Sequence, residues 1–283
     1  MLYIIIINMS NEKSKCIIPN EIEKYITKYI QIDYDRISDE RLKIMQQKIK
    51  NKYNITIDTN IIASMKHNFM KNHIITNFYK LNKHSHTIQK LYEKNNIVSL
   101  SKKIKLSPMT IMKFILENKY HDKISSLANS KHTNILSKYD FNQLNEAIYH
   151  DIYFQLDQSM IEKESKNFET LVENKLKLLN VKYKTQEQLV KEQIKQFGNP
   201  INTPDFLIES ELILNNKKIN WIDAKNFYGS NIKFIISKIT KQVKKYISNY
   251  GFGCIIFRLG YNDILKFDNV LILCYDDFLN IKN

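Results

Sequence analysis

The sequence predicts an α/β C-terminal domain, a mixed sheet flanked by helices, preceded by an all-α region. Glycine is confined to the last third, as Gly198, Gly229, Gly251, Gly253 and Gly260, and backbone turns with positive φ favour that residue. Ahead of these glycines, apolar residues recur at the three- and four-residue spacing of helices. Beyond Val181, short apolar runs of strand length alternate with amphipathic stretches. This pattern places a helical region over residues 1–155 and the α/β domain over 156–283.

The run Leu2–Ile7 is short, lacks a basic flank and precedes no small-residue cleavage site. It reads as an edge strand or disordered start, not as a signal peptide. Ile22, Tyr25, Ile26, Tyr29 and Ile30 form one helical stripe, and Leu42, Met45 and Ile49 another; both are core faces. Residues 97–117 read as a helix-turn-helix. Ile97, Leu100 and Ile104 share a face, Lys105-Leu106 makes the turn, Ser107 is a natural N-cap and Pro108 suits the first helical position. Ile111, Met112, Phe114 and Ile115 then point inward, which leaves Met109, Thr110 and Lys113 near the exposed face. Lys102, Lys103 and Lys113 are the nucleic-acid contacts expected here. His84 and His86 lack the acidic or cysteine surroundings of a metal site and read as exposed polar residues.

The second domain opens with a helix over Ile161–Leu179, whose Phe168, Leu171, Val172, Leu176 and Leu179 form the face that packs on the sheet. Val181–Tyr183 is a short strand. Thr185 and Gln188 make a capping box for a helix running to Phe197, stopped by Gly198 and Pro200. Phe206–Leu214 and Ile219–Ala224, separated by Asn215-Asn216-Lys217-Lys218, predict a β-hairpin. Asn231–Tyr250 is an amphipathic helix with five lysines and no acid. Cys254–Leu259 and Val270–Cys274 are apolar enough to be strands buried on both faces.

The hairpin carries the chemistry. Asp205 opens its first strand and Asp223 and Lys225 end its second, so antiparallel pairing gathers them at one end of the sheet. Asp223 and Lys225 are two apart and share a strand face. Mg²⁺ takes oxygen ligands in octahedral geometry at about 2.0–2.1 Å and commonly keeps water and substrate phosphate among them. Asp205, Asp223 and the Ala224 carbonyl supply such oxygens, and Lys225 is placed to hold a nucleophilic water or offset charge growing on a phosphate.

Thr203-Pro204-Asp205 and Trp221-Ile222-Asp223-Ala224-Lys225, with Gly229, resemble the signature of the PD-(D/E)xK nucleases. More narrowly they resemble the TPD-motif family, which includes the codanin-interacting nuclease of animals and archaeal relatives. The resemblance implies a restriction-endonuclease-like domain, a helical N-terminal region with a helix-turn-helix, and Mg²⁺- or Mn²⁺-dependent hydrolysis of phosphodiester bonds in nucleic acid, with DNA the expected substrate. It implies Asp205, Asp223 and Glu169 as metal ligands; Glu169 follows Phe168 on the first helix, with Glu173 the lesser candidate. Gln242 and Tyr246 make the Q-x-x-x-Y that follows D-x-K in RecB-like nucleases and would orient substrate. Asp223 stands where many members carry Glu, with the same charge. In animals the resemblance also implies a codanin-type protein partner. The rival reading is a catalytically weak nuclease fold that serves as a DNA-binding or protein-docking module.

Composition narrows the alternatives. A hydrophobic content of 43% with 17 Tyr and 14 Phe excludes a disordered chain. No apolar stretch is long enough to cross a bilayer, so no membrane role is expected. The net charge of +14 suits a polyanionic partner. From Met160 on there are 19 basic and 14 acidic residues, and before it 24 and 15, so both halves are basic. Lys238, Lys241 and Lys245 on the Asn231–Tyr250 helix are the contacts expected near the site. Three cysteines, Cys16, Cys254 and Cys274, argue against a disulfide framework and a zinc site. With Cys254 and Cys274 read as buried thiols, a reducing compartment follows, nuclear or cytoplasmic and not secreted.

Overall fold

A computed structural model of the chain describes residues 6–7, 16–30, 34, 37–120, 135–151 and 158–281. The elements begin with strands β1 (Ile6–Ile7) and β2 (Ile17–Ile18) and helices α1 (Asn20–Tyr29), α2 (Asp39–Tyr53) and α3 (Thr59–Asn77). There follow α4 (Tyr79–Lys83), α5 (Ser85–Tyr92), α6 (Ile97–Ile104), α7 (Pro108–Tyr120), α8 (Lys138–Tyr149) and α9 (Gln158–Leu178). The remainder is β3 (Tyr183–Thr185), α10 (Gln186–Phe197), β4 (Phe206–Ile208), β5 (Ile213–Leu214), β6 (Lys217–Lys218), β7 (Trp221–Lys225), α11 (Lys233–Tyr250), β8 (Gly253–Phe257), β9 (Tyr261–Asn262), β10 (Val270–Cys274) and α12 (Tyr275–Leu279). The fold is mixed α/β, and none of its helices among the described residues is long and apolar enough to cross a membrane. Of the run Leu2–Ile7, only Ile6 and Ile7 lie within the described residues, as a strand.

Two compact units emerge. One comprises Met1–Thr27, Leu42–Met65 and Ser159–Asn283; the other comprises Lys28–Arg41 and Lys66–Gln158. This differs from a cut at 155/156 in that two N-terminal segments join the C-terminal unit.

In the first unit the main sheet of the described residues runs β10-β8-β7-β4-β3. β10, β8 and β7 are parallel, while β4 is antiparallel to β7 and β3 to β4. Strand alternation divides the side chains between two layers. Ile222, Cys254 and Ile256 pack with Phe168, Val172 and Leu176 of α9. Trp221, Ile255 and Phe257 pack with Ile235, Ile239, Val243 and Tyr246 of α11. Gly253 is required by this second layer, because a Cβ there would lie 2.0 Å from the Trp221 ring.

The expected hairpin is split. β4 ends at Ile208 and pairs with β7, Phe206 opposite Ile222. The second half of the first run turns back separately: β5 pairs with β6 across Asn215 and Asn216, both left-handed at φ 50° and 58°. Two consecutive left-handed residues are the signature of a tight hairpin turn matched to strand twist, so Lys217 and Lys218 are strand residues, not turn residues.

The N-terminal segment is tied in by a buried carboxylate. Glu23 of α1 is 4% exposed. It accepts from Tyr228 Oη (3.0 Å), the Asn231 amide (3.1 Å), Ser230 Oγ and Asn262 Nδ2. Nearby, β2 pairs with β9, which brings Cys16 to the C-terminal strands. Cys16 is bonded to Cys274 (Sγ–Sγ 2.10 Å), and Cys254 is a buried thiol. The expectation of unpaired cysteines fails for two of the three, since a bond across 258 residues of sequence leaves no mark in local spacing.

In the second unit, α6 starts at an Asn96 cap and ends at Lys105, which is left-handed at φ 58°. The Ser107 hydroxyl caps α7, accepting from the Thr110 amide at 3.1 Å. The two helices about a turn are as expected, but Met109 is not near the exposed face. It is 2% exposed, and its amide donates to the buried Asp151 carboxylate (3.1 Å). With Ile111, Met112, Phe114, Ile115 and Leu116 also buried, α7 is a core helix with little outward surface. His84 and His86 are exposed, as expected.

The second unit has its own ionic hub. Asp140, 0% exposed, accepts from Lys119 (2.5 Å), Tyr120 (2.6 Å), Ser137 (2.6 Å) and Tyr92 (3.0 Å). Burial acts to raise its pKa, but these four donors outweigh it and hold the carboxyl below the ordinary aspartate value.

Both hubs have measurable consequences. Glu23→Ala leaves several buried donors without an acceptor and lowers stability by about 3 kcal/mol, read as a fall in urea midpoint at unchanged m-value. Asp140 is ionised in both folded and unfolded chains at pH 7, so its contribution is complete there. It is lost as pH falls through the depressed folded-state pKa. The stability gap between wild type and Asp140→Asn, measured by urea unfolding, is therefore larger at pH 7 than at pH 3.

Candidate functional site

β7 ends in Asp223, Ala224 and Lys225, and the ladder decides where each points. The Lys225 carbonyl accepts from the Arg258 amide on the residue after β8 (2.9 Å), so the polar groups of Ala224 face the opposite side. There the Ala224 amide donates to Asp205 Oδ2 at 2.7 Å. Asp205 sits just before β4, where Pro204 is buried and the Asp205 carbonyl accepts from the Gln186 amide (2.9 Å) at the start of α10. The Thr185–Gln188 capping box there is formed as the sequence predicts.

Asp223 and Lys225 point to the α11 layer, as their two-residue spacing requires. Asp223 is 1% exposed. Its Oδ2 forms an ion pair with Lys225 Nζ, and its Oδ1 accepts from Gln242 Nε2 (3.2 Å). Gln242 Oε1 accepts from Lys225 Nζ (3.0 Å), so one amide holds both partners of the pair. Gln242 Nε2 also donates to Tyr246 Oη (2.8 Å), which donates to the Thr203 carbonyl (3.3 Å). Tyr246 packs edge-on against Trp221, ring centroids 5.1 Å apart. The two halves of the TPD and D-x-K stretches are thus joined through the Gln and Tyr of α11.

Electrostatics follow from enclosure. Asp205 is raised well above an ordinary aspartate, first by desolvation and then by Asp223. Burial alone would lower Lys225, but Asp223 and Asp205 hold it above its ordinary value, as an ammonium. Glu169 is raised by desolvation and by Asp223. It stands on the α9 layer, across the sheet from Gln242, and the carboxylates of Asp205, Asp223 and Glu169 do not all come within 4.8 Å of one another. Among the described residues, that closeness belongs to Cys16, Cys274 and Asp277, where the two sulfurs are bonded to each other. Glu173 is engaged elsewhere, with Tyr183 (2.8 Å) and Lys177 (2.9 Å).

The donor set suits a hard divalent cation. Asp223 Oδ2 is buried and meets the Lys225 ammonium. Asp205 and Asp223 bring carboxylate oxygens to the end of β7, beside the Ala224 backbone, with Glu169 on the α9 layer. Carboxylate and carbonyl oxygens are what Mg²⁺ and Mn²⁺ select.

Of the expected nucleic-acid contacts, Lys238, Lys241 and Lys245 are exposed on α11. Lys238 and Lys245 lie four residues before and three after Gln242, on neighbouring positions of the helix surface. Lys102, Lys103 and Lys113 belong to the other unit; Lys103 Nζ donates to Asn95 Oδ1 (2.6 Å). Asn202, one residue before the TPD triplet, was not singled out by sequence. It is buried, donates to the Lys245 carbonyl, and accepts at its own carbonyl from Gln193 and Tyr250 (both 2.8 Å). Only a polar residue beside a motif hinted at it.

Comparison with known proteins matches the chain to one family. The family model described as a protein of unknown function with the TPD sequence motif matches residues 137–278. A protein of Acanthamoeba polyphaga mimivirus, described only as uncharacterized, is 33% identical over 135 residues, which is 46% of this chain and 47% of that protein. The chain thus spans about half the length of this curated relative. No solved structure matches. The matched segment covers α8 through α12, with Asp205, Asp223, Lys225, Gln242 and Tyr246 inside it, and the chain belongs to the TPD sequence-motif family.

Proposed function

We propose that the chain is a metal-dependent nuclease with a restriction-endonuclease-like domain, hydrolysing phosphodiester bonds in nucleic acid, DNA being the substrate class favoured. The observation that carries this reading is the convergence of Asp205, Asp223 and Lys225 at one sheet end, with Gln242 bridging Lys225 and Asp223. Mg²⁺ or Mn²⁺, when bound, supplies Lewis-acid polarisation of the phosphoryl oxygens and a more acidic bound water. Asp205, Asp223, the Ala224 carbonyl and Glu169 would hold it.

The chain's own residues do the rest. Lys225 is kept as a cation and aimed along the sheet end, where it positions a nucleophilic water and offsets charge on the attacked phosphate. Gln242 fixes the direction of the ammonium by accepting from it. Tyr246 and Trp221 brace Gln242 from behind, and Tyr246 anchors it to Thr203. Lys238, Lys241 and Lys245 line the same helix and receive the backbone phosphates. A codanin-type partner belongs to the same proposal.

Labelled single-stranded, duplex and branched DNA and RNA, incubated with Mg²⁺, Mn²⁺ or EDTA, test the reading. Cleavage is expected with either metal, none with EDTA, and a loss of at least about 100-fold in Asp223→Asn. Absence of cleavage on every substrate, with nucleic-acid binding intact, would sink the enzymatic reading in favour of a docking module. Gln242→Ala releases Lys225 without removing a charge. It lowers the cleavage rate by about 10- to 100-fold while nucleic-acid affinity in EDTA stays at the wild-type level.

A further inference from the structure

The chain has three arginines, Arg36, Arg41 and Arg258, among 43 basic residues. Arg258 is the one that falls in the C-terminal unit. It stands one residue past β8, whose last position Phe257 is in register with Lys225. Its amide donates to the Lys225 carbonyl (2.9 Å). The guanidinium therefore leaves the sheet at the carboxyl ends of the parallel strands β7 and β8, where ligands of open α/β sheets bind.

Three contacts set its direction. Nη1 donates to Asn226 Oδ1 at 3.0 Å, on the residue after Lys225. The guanidinium carbon lies 5.8 Å from the centre of the Phe168 ring, a fixed surface at 0% exposure. Nη1 is also 3.5 Å from Glu164 Oε2, in a pair whose side chains are 36% and 57% exposed. Glu164 and Phe168 are one turn apart on α9, and Glu169 follows Phe168. The guanidinium is thus held between the Lys225 strand end and the Glu169 helix, outside the carboxylates. Among the described residues the hydrogen bond of the guanidinium is the one to Asn226, and the side chain as a whole is partly open to solvent.

An exposed ion pair at this distance contributes little to stability. An aromatic surface and an amide orienting a partly exposed guanidinium form an arrangement suited to an anion that presents two acceptor oxygens. Arginine meets phosphate with two parallel bonds, whereas lysine meets it as a point charge. In a chain that is otherwise lysine-rich, that difference points to a task of geometry.

We infer that Arg258 grips a backbone phosphate of the nucleic acid next to the scissile one, displacing Glu164 as it does so. The assignment deepens the nuclease reading and rests on it. Asn226 holds the guanidinium at the end of β7 on the α9 side, opposite the Lys225 ammonium on the α11 side, so the phosphate it takes is a neighbour of the attacked one. Arg258 then acts in binding and strand placement, not in the chemical step.

The test measures affinity in EDTA for labelled random-sequence 20-mer duplex and single-stranded DNA across a salt series, so that its outcome does not depend on cleavage. Arg258→Ala is expected to weaken binding about tenfold. It should also reduce the slope of log K against log salt by about one phosphate's worth. Arg258→Lys should recover the slope and only part of the affinity. Glu164→Gln removes the competing carboxylate and should tighten binding about twofold or more. With metal present, Arg258→Ala should raise KM with kcat nearly unchanged. If Arg258→Ala keeps the wild-type affinity and salt slope, or if Glu164→Gln leaves affinity unchanged, the assignment is overturned even where Asp223→Asn has established the nuclease. If no variant or wild type cleaves, the nuclease reading falls, and the salt slopes still decide whether Arg258 meets phosphate. A folding defect in Arg258→Ala, seen as a lowered thermal midpoint, passes the decision to Arg258→Lys and Glu164→Gln.

Discussion

The C-terminal unit is arranged around one costly group, the Asp223 carboxylate, which is 1% exposed inside a sheet. A buried charge is tolerated only when paired and hydrogen-bonded, because desolvation costs several kcal/mol per ion. Lys225 supplies the charge, two residues along the same strand. Gln242 supplies an amide that donates to one partner and accepts from the other. Holding that amide requires Tyr246, and holding Tyr246 requires Trp221 and the Thr203 carbonyl. The demand of one carboxylate thus reaches α11, the TPD triplet and the single tryptophan. Gly253 belongs to the same chain of demands, since Trp221 occupies the space its side chain would need.

The N-terminal segment joins this unit by the same physics. Glu23 is buried and meets donors from the loop after β7 and from Asn262 of β9. Those donors come from residues more than 200 positions away in sequence, which is why a division into consecutive domains did not show it. In sequence the glutamate is one of two acids, with Glu21, on this helix. Only its burial distinguishes it, and burial is a property of the assembled fold.

What was legible followed from short-range rules. Strand alternation placed Asp223 and Lys225 on one face, the Thr185–Gln188 box capped its helix, and the i, i+4 spacing put Gln242 beside Tyr246. The two helices around Lys105–Ser107 were likewise local. Failures came where a run of apolar residues had more than one way to pair. Phe206–Leu214 was one run in sequence but two strands in space, because the paired left-handed asparagines let β5 and β6 close on themselves. Met109 was misplaced because α7 is apolar on more than one side, a pattern that a single inward face does not describe. Glu169 rests on resemblance alone, since helix periodicity fixes a face and not the distance from it to a strand end.

The site's charge and the surface charge make sense together. Asp205, Asp223 and Glu169 bring three carboxylates against one ammonium, Lys225, and the excess of negative charge adds to burial in raising Asp205 and Glu169. Such a centre repels a phosphate. Lys238, Lys241 and Lys245 are exposed along α11 beside it and, on the proposed reading, would draw a polyanion in, but attraction at the rim does not remove repulsion at the centre. On the nuclease reading proposed above, a divalent cation among the carboxylates would offset that repulsion and give the phosphate oxygens a partner. Lys225 alone falls short, because its charge is already shared between Asp223 and Gln242. On the nuclease reading, a divalent cation would restore the charge balance of the site, and the lysine-rich surface would act together with it.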